Sequence, residues 1–181
     1  MKNNLTSKLL VLLFLIGFQS YAQDIMNNQN DANDRQTEFR LDVFDAAFFS
    51  AIDIGYERVT DSSYGYGASL FVNLRDADDD VAYYEKFAIT PFFRFYFFNR
   101  EDFGAKGLFA EVFTKFASGD NPDNLDEEYF DAAIGLAIGK KWVNRKGFVL
   151  ELSFGGGRNI GLDDLSPEFT FRGGISLGYR F

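Results

Sequence analysis

Charged side chains in this chain of 181 residues recur at alternate positions, on the same parity as glycine and serine. In one segment Asp53 and Glu57 alternate with Ile52, Ile54 and Tyr56. Acids and bases placed in this way can form ion pairs inside a shared enclosure, or they can line a path for a charged solute. The twelve charged residues on this parity are Arg40, Asp42, Asp53, Glu57, Arg75, Arg94, Glu111, Lys115, Lys141, Glu151, Arg172 and Arg180.

This spacing predicts that the charged residues lie on β-strands, because side chains alternate between two faces along a strand. The end of the chain shows the alternation most clearly. One parity carries aromatic and aliphatic side chains and ends on Tyr179 and Phe181, while the other carries small, polar and cationic ones such as Ser176 and Arg180. Eight such segments are predicted, at residues 37–44, 50–60, 64–75, 83–98, 107–118, 129–143, 147–157 and 168–181.

Strands with one apolar face and one charged face are compatible with two kinds of barrel. A water-soluble barrel of the lipocalin type places its apolar face inward, against its own core. Here the charges share a face with small residues, which favours lipid outside and a polar lumen inside. The predicted fold class is therefore all-β, an antiparallel up-and-down transmembrane β-barrel of eight strands. The soluble barrel is the architectural alternative.

The charged set is close to electrical balance, with five acids and seven bases. Unpaired charges in a narrow interior are costly, whereas paired and hydrogen-bonded charges are tolerated. The interior of an eight-stranded barrel is just wide enough for side chains to fill it. We therefore expect an ion-pair network that plugs the lumen. A selective path for small solutes or ions is the alternative.

Four residues interrupt the pattern. Arg58, Glu85 and Lys140 are charged but fall on the apolar parity. All three lie near predicted strand ends, where a long side chain can reach a headgroup zone. Pro91 lies within the fourth segment. Because proline has no N–H to donate to the ladder, we expect a β-bulge there.

The N-terminus has the three parts of a secretory signal peptide. Lys2 and Lys8 precede a short apolar run, and Ser20 and Ala22 supply small residues before a cut. The run is about half of the ~20 residues that a transmembrane helix needs. We predict a signal peptide over residues 1–22, a flexible periplasmic leader over 23–36 and the barrel over 37–181, placed in the cell outer membrane.

The connections between segments are strongly acidic on one side. Residues 76–82, 119–128 and 159–167 contain eleven acids and neither lysine nor arginine. Because barrels of this kind have short periplasmic turns and longer extracellular loops, we expect these acidic loops outside. The run from Asp76 to Asp80 resembles the start of a calcium loop but lacks its glycine and its closing glutamate. We expect a solvated surface without a dedicated metal site, and loose cation bridging to lipopolysaccharide phosphates is an intermediate hypothesis.

Missing residue types disfavour several function classes. The chain has no histidine and no cysteine. A Ser-His-Asp or Cys-His catalytic arrangement therefore cannot form, and neither can a disulfide or a cysteine lipid anchor. Removal of the predicted signal peptide takes the formal charge from −9 to −11, which disfavours nucleic-acid binding. We expect a protein that is not an enzyme and takes no cofactor.

Several stretches carry a resemblance to a known family, at residues 54–58, 91–96, 139–143 with 146–148, and 177–181. They resemble a family of small outer-membrane β-barrel proteins, mostly of unassigned function, with the eight-stranded architecture of the OmpA and OmpX type. The resemblance implies that the C-terminal strand is the signal read by the barrel assembly machinery, through Tyr179 and Phe181. Ser176 departs from the commonest form of that signal, which has glycine.

These observations predict an integral outer-membrane barrel with a structural or surface-interaction role, a charge-plugged lumen and acidic extracellular loops. Its expected partners are outer-membrane lipid and lipopolysaccharide, with the barrel assembly machinery during biogenesis. The sequence leaves the extracellular partner of the loops open. A narrow pore for small solutes or ions is the alternative function.

Overall fold

Eight antiparallel strands close into a barrel in the computed structural model, which describes residues 36–60, 63–74, 85–97, 105–121, 124–160 and 167–181. The strands are β1 (Thr37–Asp42), β2 (Ala51–Val59), β3 (Tyr64–Asn73), β4 (Glu85–Phe97), β5 (Gly107–Asn121), β6 (Asn124–Val143), β7 (Phe148–Asn159) and β8 (Phe169–Arg180). Each strand pairs with its neighbours in sequence, and β1 pairs with β8. The predicted all-β, up-and-down, eight-stranded barrel is confirmed. None of the described residues forms a helix long and apolar enough to cross a membrane.

Side chains alternate between the outside and the interior of the barrel along every strand. In β4, for example, Phe93 and Phe95 are exposed, whereas Arg94 and Tyr96 are buried. The barrel thus has an apolar outer surface and a charged interior, because the two parities of each strand differ in composition. In β5 the interior face mixes both types, since Phe109 and Phe113 alternate with charged residues and are almost fully buried.

The barrel closes where the first strand meets the last. Phe39 lies opposite Tyr179 and Arg40 lies opposite Gly178 in the β1–β8 ladder. The backbone N–H of Phe181 donates to the carbonyl of Thr37 at 2.7 Å and so continues the pairing beyond β8. A shift of this register by one residue would move the apolar face inward, so the alternation itself specifies the closure.

The connections divide the barrel into two ends. We call the end that holds Gln36, Phe181 and the β2–β3, β4–β5 and β6–β7 connections the turn end. The opposite end, which holds the other four connections, is called the loop end. A single turn of π-helix, Asp45–Phe49, joins β1 to β2 at the loop end.

Two local predictions are wrong. The expected bulge at Pro91 is absent, because the β4–β5 register is the same on both sides of it, at Ile89↔Phe116 and Phe92↔Phe113. Pro91 pairs with Ala68 of β3, and the β4–β5 ladder continues past it without a pair at this position. The register shift falls between Glu85 and Phe87. It moves Glu85 to the interior, so the predicted outward position of this residue is also wrong.

Part of a predicted loop is strand. Residues 119–128 were expected to connect the fifth and sixth strands, but β5 continues to Asn121 and β6 starts at Asn124. The β5–β6 ladder extends past the predicted end at Ser118, and it is the longest ladder among the described strands. The predicted signal peptide, the leader up to residue 35 and most of the loops at 76–82 and 159–167 lie outside the described residues.

Candidate functional site in the lumen

The predicted lumen residues lie inside the barrel. Eleven of the twelve are buried or half-buried on the interior face of their strands: Arg40, Asp42, Asp53, Glu57, Arg94, Glu111, Lys115, Lys141, Glu151, Arg172 and Arg180. The twelfth, Arg75, is outside the described residues. At the eleven positions that the structure describes, the charged side chain is on the face that strand parity predicted.

Most of these charges belong to one connected cluster near the turn end. We call it the lumen network, and it consists of Glu38, Arg40, Glu57, Arg94, Glu111, Lys141, Glu151, Arg172 and Arg180. Four carboxylates and five cations take part, so the cluster is close to neutral. The network draws on β1, β2, β4, β5, β6, β7 and β8, and its ion pairs cross-link the wall of the barrel.

Arg94 is the centre of the lumen network. Its Nε donates to Glu111 at 2.6 Å, and its Nη1 donates to Glu57 at 2.9 Å. Both terminal nitrogens donate to Glu151, at 2.7 and 2.8 Å. The rings of Phe109 and Phe92 lie 4.3 and 4.6 Å from the guanidinium carbon. A planar guanidinium satisfies three carboxylates and stacks on aromatic faces in a way that an ammonium cannot.

Glu57 is the matching acidic centre. Its carboxylate accepts hydrogen bonds from Lys141 Nζ at 2.8 Å, from Arg40 and from the hydroxyl of Tyr96. The Tyr96 hydroxyl in turn accepts from Lys141 Nζ at 2.6 Å. All of these groups are buried, and low local polarity strengthens such mutually satisfied hydrogen bonds.

Sequence reasoning missed two members of this arrangement. Glu38 is fully buried and contacts Arg40 and Lys141 at 2.7 Å each. It lies two residues before Arg40, so the same parity rule would have found it. Tyr96 lies two residues after Arg94 and is likewise inside, 3% exposed. Tyr96 has the same parity as Arg94, but aromatic side chains in this sequence mostly indicate the outer face.

Three carboxylates of the lumen network approach each other as closely as metal ligands do. Oxygen atoms of Glu38, Glu57 and Glu151 lie within 4.8 Å of one another. A cationic side chain of the protein, Lys141, already lies between these carboxylates. Lys141 Nζ lies 2.7 Å from Glu38 and 2.8 Å from Glu57. Because the carboxylates are already neutralised, they fit an internal ion-pair cluster better than a metal centre.

The turn end is packed by apolar side chains and by a returning connection. Val59, Tyr96, Ala105 and Phe109 form a buried cluster there. The Ala105 carbonyl accepts a hydrogen bond of 2.9 Å from Arg180 Nη2. The end of the β4–β5 connection is thus fixed inside the turn end and packed against the lumen network.

Three predicted lumen residues lie nearer the loop end and outside the network. Asp42 accepts hydrogen bonds from the backbone N–H groups of Phe44 and Asp45, at 2.8 and 3.1 Å, so it holds the π-helical turn. Lys115 forms an ion pair with Glu85 and donates to Thr170 Oγ1 at 3.0 Å. The side chain of Asp53, the third, forms no direct hydrogen bond or ion pair with any described residue, and its nearest charged neighbours include Arg172 and Lys115. The interior charges therefore divide into a dense network and a looser group.

Some of the acids expected on a solvated loop surface are paired. Asp120 and Glu128 flank Lys86 Nζ at distances of 2.7 and 3.0 Å. Asp120 is only 4% exposed. These acids are on strands rather than in a loop, and a lysine from β4 lies between them. Of the eleven acids, only these two and Glu127 have side chains within the described part of the chain.

The remaining interruptions face outward as predicted. Arg58 is exposed near the turn end and donates to Gln36 and Thr37, at 2.8 and 3.1 Å. Lys140 is exposed too, with its Nζ 5.0 Å from the centre of the Trp142 ring. Both charges lie close to a strand end at the turn end of the barrel.

Tyr179 and Phe181 lie on the outer face at the turn end. Their ring centroids are 5.0 Å apart. Phe148 contacts Tyr179 at 5.5 Å, and Phe39 contacts Phe181 at 6.3 Å. The C-terminal aromatic pair is thus part of an exposed aromatic cluster over β1, β7 and β8.

No protein-family model, curated protein or solved structure matches this chain. The geometry of the site therefore carries the functional argument. Chemically, the lumen network can hold opposite walls of the barrel together and fill its interior. Its carboxylates and cations are saturated by each other, which leaves no activated acid, base or nucleophile in the network.

Proposed function

We propose that this chain is an integral outer-membrane barrel with a structural or surface-interaction role, a plugged lumen and acidic groups at its outer end. The observation that carries the proposal is the belt of large apolar side chains around the outside. Each is 39% or more exposed: Ile54, Leu70, Ile89, Val112, Leu136, Ile138, Leu152, Phe154 and Ile175. Soluble monomers rarely expose a continuous apolar area of this kind.

The charged interior of the barrel also supports a lipid-facing outer surface. In a soluble barrel the apolar face would be the interior, yet here Glu57, Lys141 and Arg180 are among the most deeply buried side chains. Aromatic residues at the turn end, such as Trp142 and Tyr179, suit a membrane–water interface, where one end of the ring is apolar and the other is wet. The soluble lipocalin-type alternative does not account for this inverted arrangement.

A plugged lumen supports a structural or surface role over a narrow pore. The side chains of Glu57, Arg94 and Lys141 are at most 3% exposed. Ion conduction needs sites that a solute can enter and leave, whereas these charges are bound to each other. The absence of histidine and cysteine from the sequence supports a function other than catalysis by the known barrel-enzyme chemistry.

Single cysteines test the membrane location and the orientation together, since the chain has no cysteine of its own. Glu127 is exposed at the loop end, Arg145 is exposed at the turn end, and Ile138 is 65% exposed on the outer face. With a membrane-impermeant maleimide, we expect Glu127→Cys to react on intact cells and Arg145→Cys to react only after the outer membrane is opened. Ile138→Cys should react only after denaturation.

Two outcomes would count against the proposal. Rapid labelling of Ile138→Cys in the native protein, at the rate of Glu127→Cys, would show water at the apolar belt and revive the soluble barrel. Labelling of Arg145→Cys but not Glu127→Cys on intact cells would reverse the orientation and place the acidic end in the periplasm.

A further inference from the structure

A cavity of about 280 Å³ occupies the lumen at the loop end, beyond the lumen network. Pockets for drug-sized ligands start at about 300 Å³, so this slightly smaller space is of a size for a small organic molecule. Arg172 belongs both to the cavity wall and to the lumen network. The network therefore forms the floor, and the cavity is a blind pocket rather than part of a channel.

The wall of the cavity carries an excess of negative charge. Its charged residues are the four carboxylates of Asp45, Asp53, Glu85 and Asp131 and the two cations of Lys115 and Arg172. Both cations are engaged, because Lys115 pairs with Glu85 and Arg172 pairs with Glu111, which is outside the wall. The electrostatics therefore favour a cationic ligand over an anionic one.

Asp53 is the wall carboxylate at which the excess negative charge of the cavity is least compensated. It lies in the wall, and its side chain forms no direct hydrogen bond or ion pair with any described residue, although Arg172 and Lys115 act on it at longer range. Burial of a carboxylate without a direct partner is costly, so a cation that enters the cavity gains a direct contact that the chain itself does not supply. The neighbouring interior acid on β2, Glu57, shows the contrast, since its carboxylate is fully satisfied by the lumen network.

The spacing of the wall carboxylates indicates which kind of cation fits the cavity. Among the described residues, the one group of three acids whose oxygen atoms lie within 4.8 Å is Glu38, Glu57 and Glu151, in the lumen network. The carboxylates of the cavity do not converge in this way, which disfavours a single metal ion. Phe71 and Tyr129 add aromatic surface to the wall between the acids. Such surface suits a short aliphatic chain between charged groups.

We propose that the loop-end cavity binds a small aliphatic di- or polyamine, with its ammonium groups on the wall carboxylates and its methylenes on the aromatic surface. This site goes beyond the structural role proposed above. It does not depend on membrane insertion, because the folded barrel can be titrated in detergent micelles.

Calorimetric titration with spermidine tests the proposal, after folding has been checked by heat-dependent gel mobility. We expect saturable binding of spermidine and none of 1,7-heptanediol, an uncharged chain of comparable length. Asp53→Asn and Asp131→Asn should each weaken binding about tenfold or more, as expected when one partner of an enclosed charge pair is removed. Glu127→Gln removes the same charge from the exposed surface at the same end, and it should leave the affinity unchanged.

Three results would overturn the proposal. The first is a folded wild-type barrel that does not bind spermidine. The second is an equal loss of affinity in Glu127→Gln and Asp53→Asn, which would indicate diffuse surface attraction. The third is Mg²⁺ binding that is as tight as spermidine and competes with it, which would indicate a general cation site instead. Using two cavity variants keeps the test valid if one of them fails to fold.

Discussion

Arg94 of β4 and Glu151 of β7 meet across the lumen through two hydrogen bonds of 2.7 and 2.8 Å. The two strands are not neighbours in the barrel. The pair therefore joins walls that the backbone ladder does not connect directly. Both side chains are at most 3% exposed, so the ion pair is buried in the barrel interior.

Removal of the Arg94 guanidinium should destabilise the barrel strongly. Arg94→Ala leaves Glu57, Glu111 and Glu151 buried without their shared cation, and breaking a buried ion pair in this way costs about 3–5 kcal/mol. The measurement is the midpoint of urea unfolding in detergent, followed by the heat-dependent shift on a gel. Arg58→Ala is the matched control, because Arg58 is an exposed arginine on the same barrel. An equal, small shift for both variants would contradict a structural role of the network.

A methyl group at Gly139 should also destabilise the fold, through packing rather than charge. Gly139 pairs with Phe109, and a Cβ at Gly139 would lie 2.7 Å from Cε1 of that ring and 2.5 Å from the backbone carbonyl oxygen of Leu152. The ring packs against the Arg94 guanidinium, so it cannot move away freely. We expect Gly139→Ala to cost about 1–3 kcal/mol, the usual range for overpacking.

Gly156→Ala is the control for the glycine prediction. Gly156 is exposed, and a Cβ there would meet only the Thr170 carbonyl oxygen, at 3.2 Å. Urea unfolding should separate the two variants clearly. If Gly156→Ala lost as much stability as Gly139→Ala, the effect would come from replacing a strand glycine in general and not from the close contacts around Gly139.

The C-terminal aromatic should matter more for assembly than for stability. Phe181 is 51% exposed, so its truncation removes little buried surface from the folded barrel. If Tyr179 and Phe181 form the assembly signal, Phe181→Ala should lower the amount of folded protein in the outer membrane and leave the refolded barrel almost as stable. Phe171→Ala, 52% exposed on the same strand, is the control. Equal accumulation of the two variants would argue against a terminal signal.

The filled lumen should leave a lipid bilayer electrically silent. We expect no reproducible conductance steps from the folded protein, because the turn end is closed by Val59, Tyr96, Ala105 and Phe109 beneath the lumen network. Planar-bilayer recording measures this directly, with heat-unfolded protein as the control. Steps that appear only with folded protein would favour the pore, with Arg94 and Glu111 as the first selectivity candidates.

Alternation along the chain was enough to predict the strands, their faces and most interior charges. The parity that contains Arg40 and Arg180 is inside in the structure, as expected. The rule failed where a strand changes register. Glu85 has outward parity when it is counted from Phe87, but the irregularity between them turns it inward to Lys115. A bulge depends on the pairing of two strands, and therefore it cannot be read from one of them.

The period-two pattern is enough to predict an all-β barrel with charges in its lumen, because it is local and repeats in every strand. Which charges meet was decided by the tertiary structure alone. Arg94 and Glu151 are 57 residues apart, and only closure of the barrel brings them into contact. The same closure separates the saturated lumen network from the acidic cavity above it. Partners across a lumen depend on register and closure together, and neither is encoded within a single strand.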